Sequence, residues 1–409
     1  MRIALVSEYF YPTLGGIQES LYYVCRELIR RGHKPTIITG RIPGAGPVSR
    51  WWPKGLPVEI YHPLGLALPY FANGAVGRST AGFFLGRRLR SLLQPEHFDL
   101  VHIQSPCIGI LPILANHYSR VPVCGTLHTS FSHSHAMTLL RPLVRRHFDR
   151  LNAVIGVSPV SLVSMRRYCD FEGEVIPNGV DTSLFRPVEL GTVDDRFPQL
   201  NDGKLNIFFI GRADPRNGLE TLIRAFAKLH SKVSHARLVI AGGGIEMARC
   251  RRLAESLIPQ GAQDWYVERE SAPKEGLTSP AVFLGPVRDS RARLYRSCHI
   301  QVFNVERASC PVTLLEGMSS GLAVVCSDFE GHSFLGEAGR HFVTSGFGNV
   351  DEVHDRLLEL ALQPSERQRI GSAARARALQ LDWSVITDQL VGVYQRVLSE
   401  SNQTMQTRL

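Results

Sequence analysis

Apolar and polar positions follow two rhythms along this chain. Short apolar runs rich in β-branched residues fall at 3–6, 35–39, 100–103, 121–127 and 153–157, then again at 207–210, 238–241, 282–284, 300–303 and 323–325. Between them lie longer stretches whose apolar residues recur three and four apart. Runs of this kind, separated by amphipathic helices, mark parallel strands covered on both faces by crossover helices. The first such helix is the clearest. Ile17, Leu21, Val24, Cys25, Leu28 and Ile29 share one stripe, Arg26, Arg30 and Arg31 lie off it, and Gly32 supplies the stop.

The alternation runs once to about Phe185, pauses over the polar stretch 187–204, and starts again. We therefore expect two doubly wound α/β domains, 1–185 and 186–380. A C-terminal helix over 381–409 should follow, packing back towards the first domain and fraying from Ser399. The segment 258–279 is polar, carries Gly261, Pro273 and Gly276, and reads as an elaborated surface loop. A chain of 409 residues, 44% hydrophobic, exceeds what one core usually holds, which agrees with two domains.

Composition narrows the function classes. The formal charge of +9 favours anionic partners: phosphates, acidic lipid or nucleic acid. The positive charge is spread along the chain without an aromatic-rich binding motif, which disfavours nucleic acid. Eight cysteines are scattered with no pair at zinc-ligand or redox spacing, as expected of buried thiols in a reducing compartment. The first ten residues read as a strand rather than a leader, and no run reaches the ~18 apolar residues of a membrane span. A cytoplasmic protein, peripheral at most, is the expectation.

Three segments carry candidate chemistry. Tyr11-Pro12-Thr13-Leu14-Gly15-Gly16-Ile17-Gln18-Glu19-Ser20 is a glycine turn that opens a helix, where backbone N–H groups can meet phosphate or sugar; a plain tight turn would look the same. Gly211-Arg212-Ala213-Asp214-Pro215-Arg216-Asn217-Gly218 joins a second-domain strand to its helix, and its two arginines suit a diphosphate. A solvated, salt-bridged loop is the bland alternative. The third, 304–318, passes from strand to helix at Pro311, so the amides of Val312, Thr313 and Leu314 can cap a phosphate and Glu316 can accept from ribose hydroxyls. A buried, hydrogen-bonded helix carboxylate is the bland alternative for Glu316.

In this order and spacing the three segments resemble retaining glycosyltransferase family four, nearly end to end. Leu127-His128-Thr129-Ser130 and the junction Pro177-Asn178-Gly179-Val180-Asp181 add to the likeness, and the glycine turn with His128-Thr129-Ser130 resembles the phosphatidylinositol mannosyltransferase branch. The resemblance implies a GT-B fold, two Rossmann-like doubly wound parallel-sheet domains facing across a deep cleft. It further implies a nucleotide diphosphate sugar held by Gly15, Gly16, Arg212, Arg216, the 312–314 amides and Glu316, with His128 beside the transferred sugar as the catalytic group. Gln18 and Thr129 would face a lipid or polyol acceptor.

Two departures stand out. Asn217 occupies the family's lysine position, and Ala308 replaces the first of two glutamates eight apart, with Glu306 two residues early. Cys310-Pro311 replaces the family's Phe-Gly. No Asp-x-Asp metal motif sits at a strand end, so no metal is expected. The expected activity is transfer of a mannose- or glucose-like hexose by a metal-independent front-face mechanism. The alternatives are a degenerate protein that binds nucleotide or lipid without catalysis, and an epimerase or hydrolase.

Two helical patterns are basic and amphipathic. Leu85, Leu89, Leu92 and Leu93 run beside Arg87, Arg88 and Arg90, and Leu140, Leu143, Val144 and Phe148 beside Arg141, Arg145, Arg146 and Arg150. Docking on an anionic membrane surface and a core-facing stripe with a solvated basic face both fit them.

Overall fold

A computed structural model describes residues 1–406 except 14, 51, 73–74, 131–133, 189–194 and 269–275. The chain divides into two compact units. One comprises Met1–Gly179 with Trp383–Leu409, the other Val180–Asp382, so the divisions fall at Gly179/Val180 and Asp382/Trp383.

The first unit is built on eight strands: β1 Arg2–Val6, β2 Lys34–Arg41, β3 Tyr61–Ala72, β4 Ala75–Ala81, β5 Leu100–Gln104, β6 Val123–Leu127, β7 Ala153–Gly156 and β8 Glu174–Val175. They lie in the order β4-β3-β2-β1-β5-β6-β7-β8, all parallel apart from the antiparallel β3/β4 pair. That pair went unread in the sequence. The order reverses between β1 and β5, the crevice where doubly wound sheets take ligands at the C-terminal strand ends. β1 and β5 are almost wholly buried, β1 as its apolar run requires and β5 with His102 and Gln104 buried among its apolar residues. Leu85, Leu89 and Leu93 pack with Ala4, Val6, Val101 and Ile103 under one face of the sheet.

The second unit has seven parallel strands: β9 Leu205–Arg212, β10 Ala236–Gly243, β11 Ala262–Asp264, β12 Ala281–Phe283, β13 Ile300–Phe303, β14 Ala323–Ser327 and β15 Val343–Ser345. Their order is β11-β12-β10-β9-β13-β14-β15, reversing between β9 and β13. Ile207, Phe209, Leu238, Ile240, Leu222 and Phe226 form the centre of its core.

Two expectations need correction. The stretch expected as a surface loop contains β11, which pairs with β12, and a buried Trp265 whose backbone N–H donates to Phe283 O at 2.8 Å; Pro273 lies outside the described residues. The last helix runs Trp383–Gln406, so the chain past Ser399 remains helical up to that residue. This helix belongs to the first unit. Trp383 stacks on Tyr23 at 5.6 Å and 12°, and Arg31 donates to Ser384 O at 2.8 Å and pairs with Asp388 at 2.8 Å.

Candidate active site

In the second unit, β9 delivers the basic loop to the C-terminal edge of the sheet at the reversal point. Local hydrogen bonds fix that loop. Asp214 accepts from Arg216 N–H at 3.1 Å, and Asn217 Nδ2 donates to Arg212 O at 2.9 Å. Where the family has a lysine, this chain spends the side chain on holding the turn. Gly218 has φ 58°, and a Cβ there would stand 2.3 Å from Asn304 O, so only glycine lets β9's loop lie against the end of β13. Both arginine side chains remain at the surface; Arg212 is 66% exposed and only 3.6 Å from Asp214.

The neighbouring strand brings the third motif to the same edge. Glu306 N–H donates to Arg216 O at 2.9 Å, which ties the basic loop to the segment leading into the helix Val312–Ser319. Pro311 occupies the N-cap without a side-chain cap, so the first-turn amides of Val312, Thr313 and Leu314 have no partner from it. Glu306 itself is exposed, its carboxylate 3.8 Å from Arg307.

Glu316 lies in the interior of that helix's packing. It is fully buried, with Oε1 3.3 Å from Arg291 Nη2, and Arg291 in turn stands over the Phe185 ring at 5.5 Å. A buried carboxylate needs such a partner. In this arrangement the contact with Arg291 ties Glu316, and with it the helix, to the neighbouring helix.

In the first unit, Gly15 and Gly16 open the helix Gly16–Arg30 without a side-chain cap. Gly16 is exposed and nothing lies within 4 Å of a Cβ built there, so a ligand can approach its backbone. Leu14 lies outside the described residues. Gln18 is buried and donates to Thr13 Oγ1 at 2.7 Å, and Thr13 donates to Phe10 O at 2.8 Å; the structure thus uses Gln18 to brace the turn. Glu8, just after β1, is buried and accepts from Leu111 N–H at 2.8 Å and from Thr80, and burial raises its pKa.

His128 follows β6 and is partly exposed, while Thr129 beside it is exposed. Its Nε2 lies 2.6 Å from Gln104 Oε1. Gln104 Nε2 reaches His102 Nε2 at 3.3 Å, and His102 also meets Thr126 Oγ1 and, through Nδ1, Tyr394 OH, both at 2.7 Å. Strand alternation explains the grouping: residues 102 and 104 of β5 share a face, and Gln104 pairs in register with Thr126 of β6. With Gln104 oriented Oε1 towards His128, the tautomers follow. A contact of 2.6 Å suits N–H···O, so His128 carries its proton on Nε2; Gln104 then donates to His102 Nε2, and His102 donates from Nδ1 to Tyr394. His128 Nδ1 is left as that ring's acceptor nitrogen. Burial lowers the pKa of His128 to about 4 and that of His102 to about 3, the latter with a smaller contribution from His128, so both rings are neutral at pH 7. His102, Gln104 and Tyr394 escaped the sequence reading, although His-x-Gln on one face of a strand was the available signal.

The sequence matches the model of Glycosyltransferase Family 4 over residues 14–184 and that of Glycosyl transferases group 1 over 192–377. It is 27% identical to the phosphatidyl-myo-inositol mannosyltransferase of Mycobacterium tuberculosis, with 97% of each chain covered. It is 25% identical to a GDP-mannose-dependent alpha-mannosyltransferase of Mycolicibacterium smegmatis, over 97% of this chain and 98% of that one. Among solved structures, Anabaena HepE in complex with UDP and glucose superposes with a TM-score of 0.70 at 17% identity, covering 97% of this chain and all of that one. A glycosyltransferase from Rickettsia africae gives 0.69 at 15% identity, covering 97% and 98%. With one model matched in each unit and the motif loops at the reversal point of each sheet, the chain belongs to glycosyltransferase family 4 and is a glycosyltransferase.

Proposed function

We propose that this enzyme transfers a mannose-like hexose from a nucleotide diphosphate to a lipid-linked polyol, with retention of anomeric configuration and without a metal. The observation that carries the donor half is the Arg216 O···H–N Glu306 bond, which joins two exposed arginines to an uncapped helix N-terminus. Guanidinium forks and first-turn amides together match the oxygens of a diphosphate and take up the charge that develops on it as the glycosidic bond breaks. The acceptor half draws on the names of the mannosyltransferase relatives.

Neutral His128 offers Nδ1 as an acceptor, a role that fits orienting a sugar hydroxyl better than supplying positive charge. The acceptor hydroxyl attacks the anomeric carbon on the face that the phosphate leaves, and the leaving phosphate oxygen takes its proton, so no carboxylate nucleophile is needed. In this reading the arginines and helix amides balance the charge of the leaving group in place of a metal.

We place the enzyme on the inner face of a membrane. No helix among the described residues is long and apolar enough to cross one. Of the two basic amphipathic patterns, the helix Leu85–Leu92 turns its Leu85 and Leu89 into the core. The region of Arg141–Phe148 instead exposes Leu139 (82%), Leu140 and Leu143 (63%) beside the exposed Arg141, Arg145 and Arg146, which suits anionic lipid. The test is incubation of the full chain with nucleotide-activated hexoses and phosphatidylinositol vesicles, with and without EDTA. A glycolipid of retained anomeric configuration, formed at the same rate under EDTA, is expected; no turnover of any nucleotide sugar would overturn the reading.

A further inference from the structure

The second unit carries another concentration of positive charge, away from the basic loop. A groove of about 290 Å³ is lined by Arg196, Arg296, Arg367, His299 and Ser320, and by the start of the helix Pro364–Leu379. His299 immediately precedes β13 and Gly321 and Leu322 immediately precede β14, so the groove opens at the N-terminal strand ends. Arg212 and Asn304 mark the C-terminal ends. Four residues of β13 separate the two edges, roughly 13 Å at the usual strand rise.

No carboxylate is among the described lining residues. Asp195 pairs with Arg296, accepting from Nε at 2.7 Å and Nη2 at 2.5 Å. Arg367 spends Nη1 on two carbonyls, Leu360 O and Ala361 O, which leaves its charge without a carboxylate in those bonds. His299 Nδ1 accepts from Asn206 N–H at 3.0 Å, so the neutral ring carries its proton on Nε2 as a donor. Arg367 and Arg196 both depress its pKa after burial does, which puts the three groups within electrostatic reach of one another. Ser320 is buried, and its Oγ has no hydrogen-bond partner among the described residues.

We propose that this groove is a second anion site, shaped for the phosphate group of a small phosphomonoester and distinct from the donor site. A phosphomonoester is close to a dianion at pH 7 and offers three acceptor oxygens, which forked guanidiniums and an imidazole N–H satisfy. The volume admits a small phosphate ester and sits at the low end for larger ligands. A phospholipid headgroup bears the same group, so soluble and membrane sources must be compared.

The test is calorimetric titration of the full chain with inorganic phosphate and with glucose 6-phosphate, alongside sedimentation with vesicles containing phosphatidic acid. Four proteins are compared: wild type, Arg212→Ala, Arg196→Gln and Gln368→Glu, the last placing a negative charge on an exposed lining side chain where folding is not at risk. We expect both soluble probes to bind wild type and Arg212→Ala equally and to lose tenfold or more in affinity in Arg196→Gln and Gln368→Glu. Vesicle binding should be equal in all four. Absence of soluble binding, its loss in Arg212→Ala, unchanged affinity in Gln368→Glu, or dependence on these residues for vesicles alone would each overturn the proposal. Failure of the donor reading would show separately, as nucleotide binding indifferent to Arg212→Ala.

Discussion

Replacing Gln104 by Glu puts the imidazole relay to a quantitative test. Gln104 is buried, and its Oε1 stands 2.6 Å from His128 Nε2. In the wild type, burial holds His128 at about 4, so the ring stays neutral down to that pH. A carboxylate in the amide's place converts a neutral hydrogen bond into a charge-assisted one, a gain of about 1–2 kcal/mol for the protonated ring. Full Coulomb attraction between charge centres about 4 Å apart, at an effective dielectric near 20, sets an upper bound of about 4 kcal/mol, reduced by the desolvation of the new carboxylate. At ~1.4 kcal/mol per unit, the His128 pKa should rise by about one to three units. The sign follows directly: if neutral His128 accepts from the sugar, protonation removes activity, so the acid limb of kcat/KM moves to higher pH by that amount. Gln104→Leu removes the same hydrogen bonds without adding charge. It should lower kcat by ~10-fold or more through loss of the fixed tautomer, without raising the acid limb. The assay is sugar transfer from about pH 4 to 8 for the three proteins. An acid limb in Gln104→Glu that coincides with the wild type, or one displaced equally in Gln104→Leu, would refute the relay.

Three further outcomes are expected. Arg212→Ala should weaken nucleotide diphosphate binding by about 10- to 150-fold in calorimetry, the loss of one charge-assisted contact worth ~1.5–3 kcal/mol, while leaving the melting temperature unchanged because the side chain is largely exposed. Glu316→Ala leaves Arg291 without its buried partner and should cost about 3–5 kcal/mol in denaturant unfolding with no ligand present; a pure ribose contact would leave that stability intact. Gly218→Ala forces a Cβ against Asn304 O at φ 58°, so both stability and nucleotide affinity should fall together, the stability by about 1 kcal/mol or more; an unaltered melting curve would show that the loop yields freely.

Much of the fold was legible because its central strands are buried on both faces. β1, β5, β9 and β13 are predominantly apolar even where His102, Asn206 or Gln301 interrupts them, and each was found within a few residues of its bounds. β3 hid for the opposite reason. It is paired antiparallel to the edge strand β4, exposes Leu66, Leu68 and Tyr70 on one side, and contains Pro63, Gly65 and Pro69, residue types that break a strand pattern. β11 has only three residues, none fully buried, and offers too little pattern to detect.

The candidate site divides along the same line between local and distant information. A glycine turn or a basic loop after a strand is a property of consecutive residues, so the 11–20 and 211–218 motifs could be read as they stand. The state of His128 could not, because it depends on Gln104, His102 and Tyr394, the last joined to His102 across 292 positions. Glu316 shows the same limit. Leu314, Leu315 and Met318 around it are all buried, so the helix is enclosed on every side, and a carboxylate there must find a cation from elsewhere in the fold. That cation is Arg291, whose own helix gives no local sign of its target. An acidic residue in a helix that is apolar all round is therefore better read first as half of a buried pair, and as a ligand contact only once its partner has been identified.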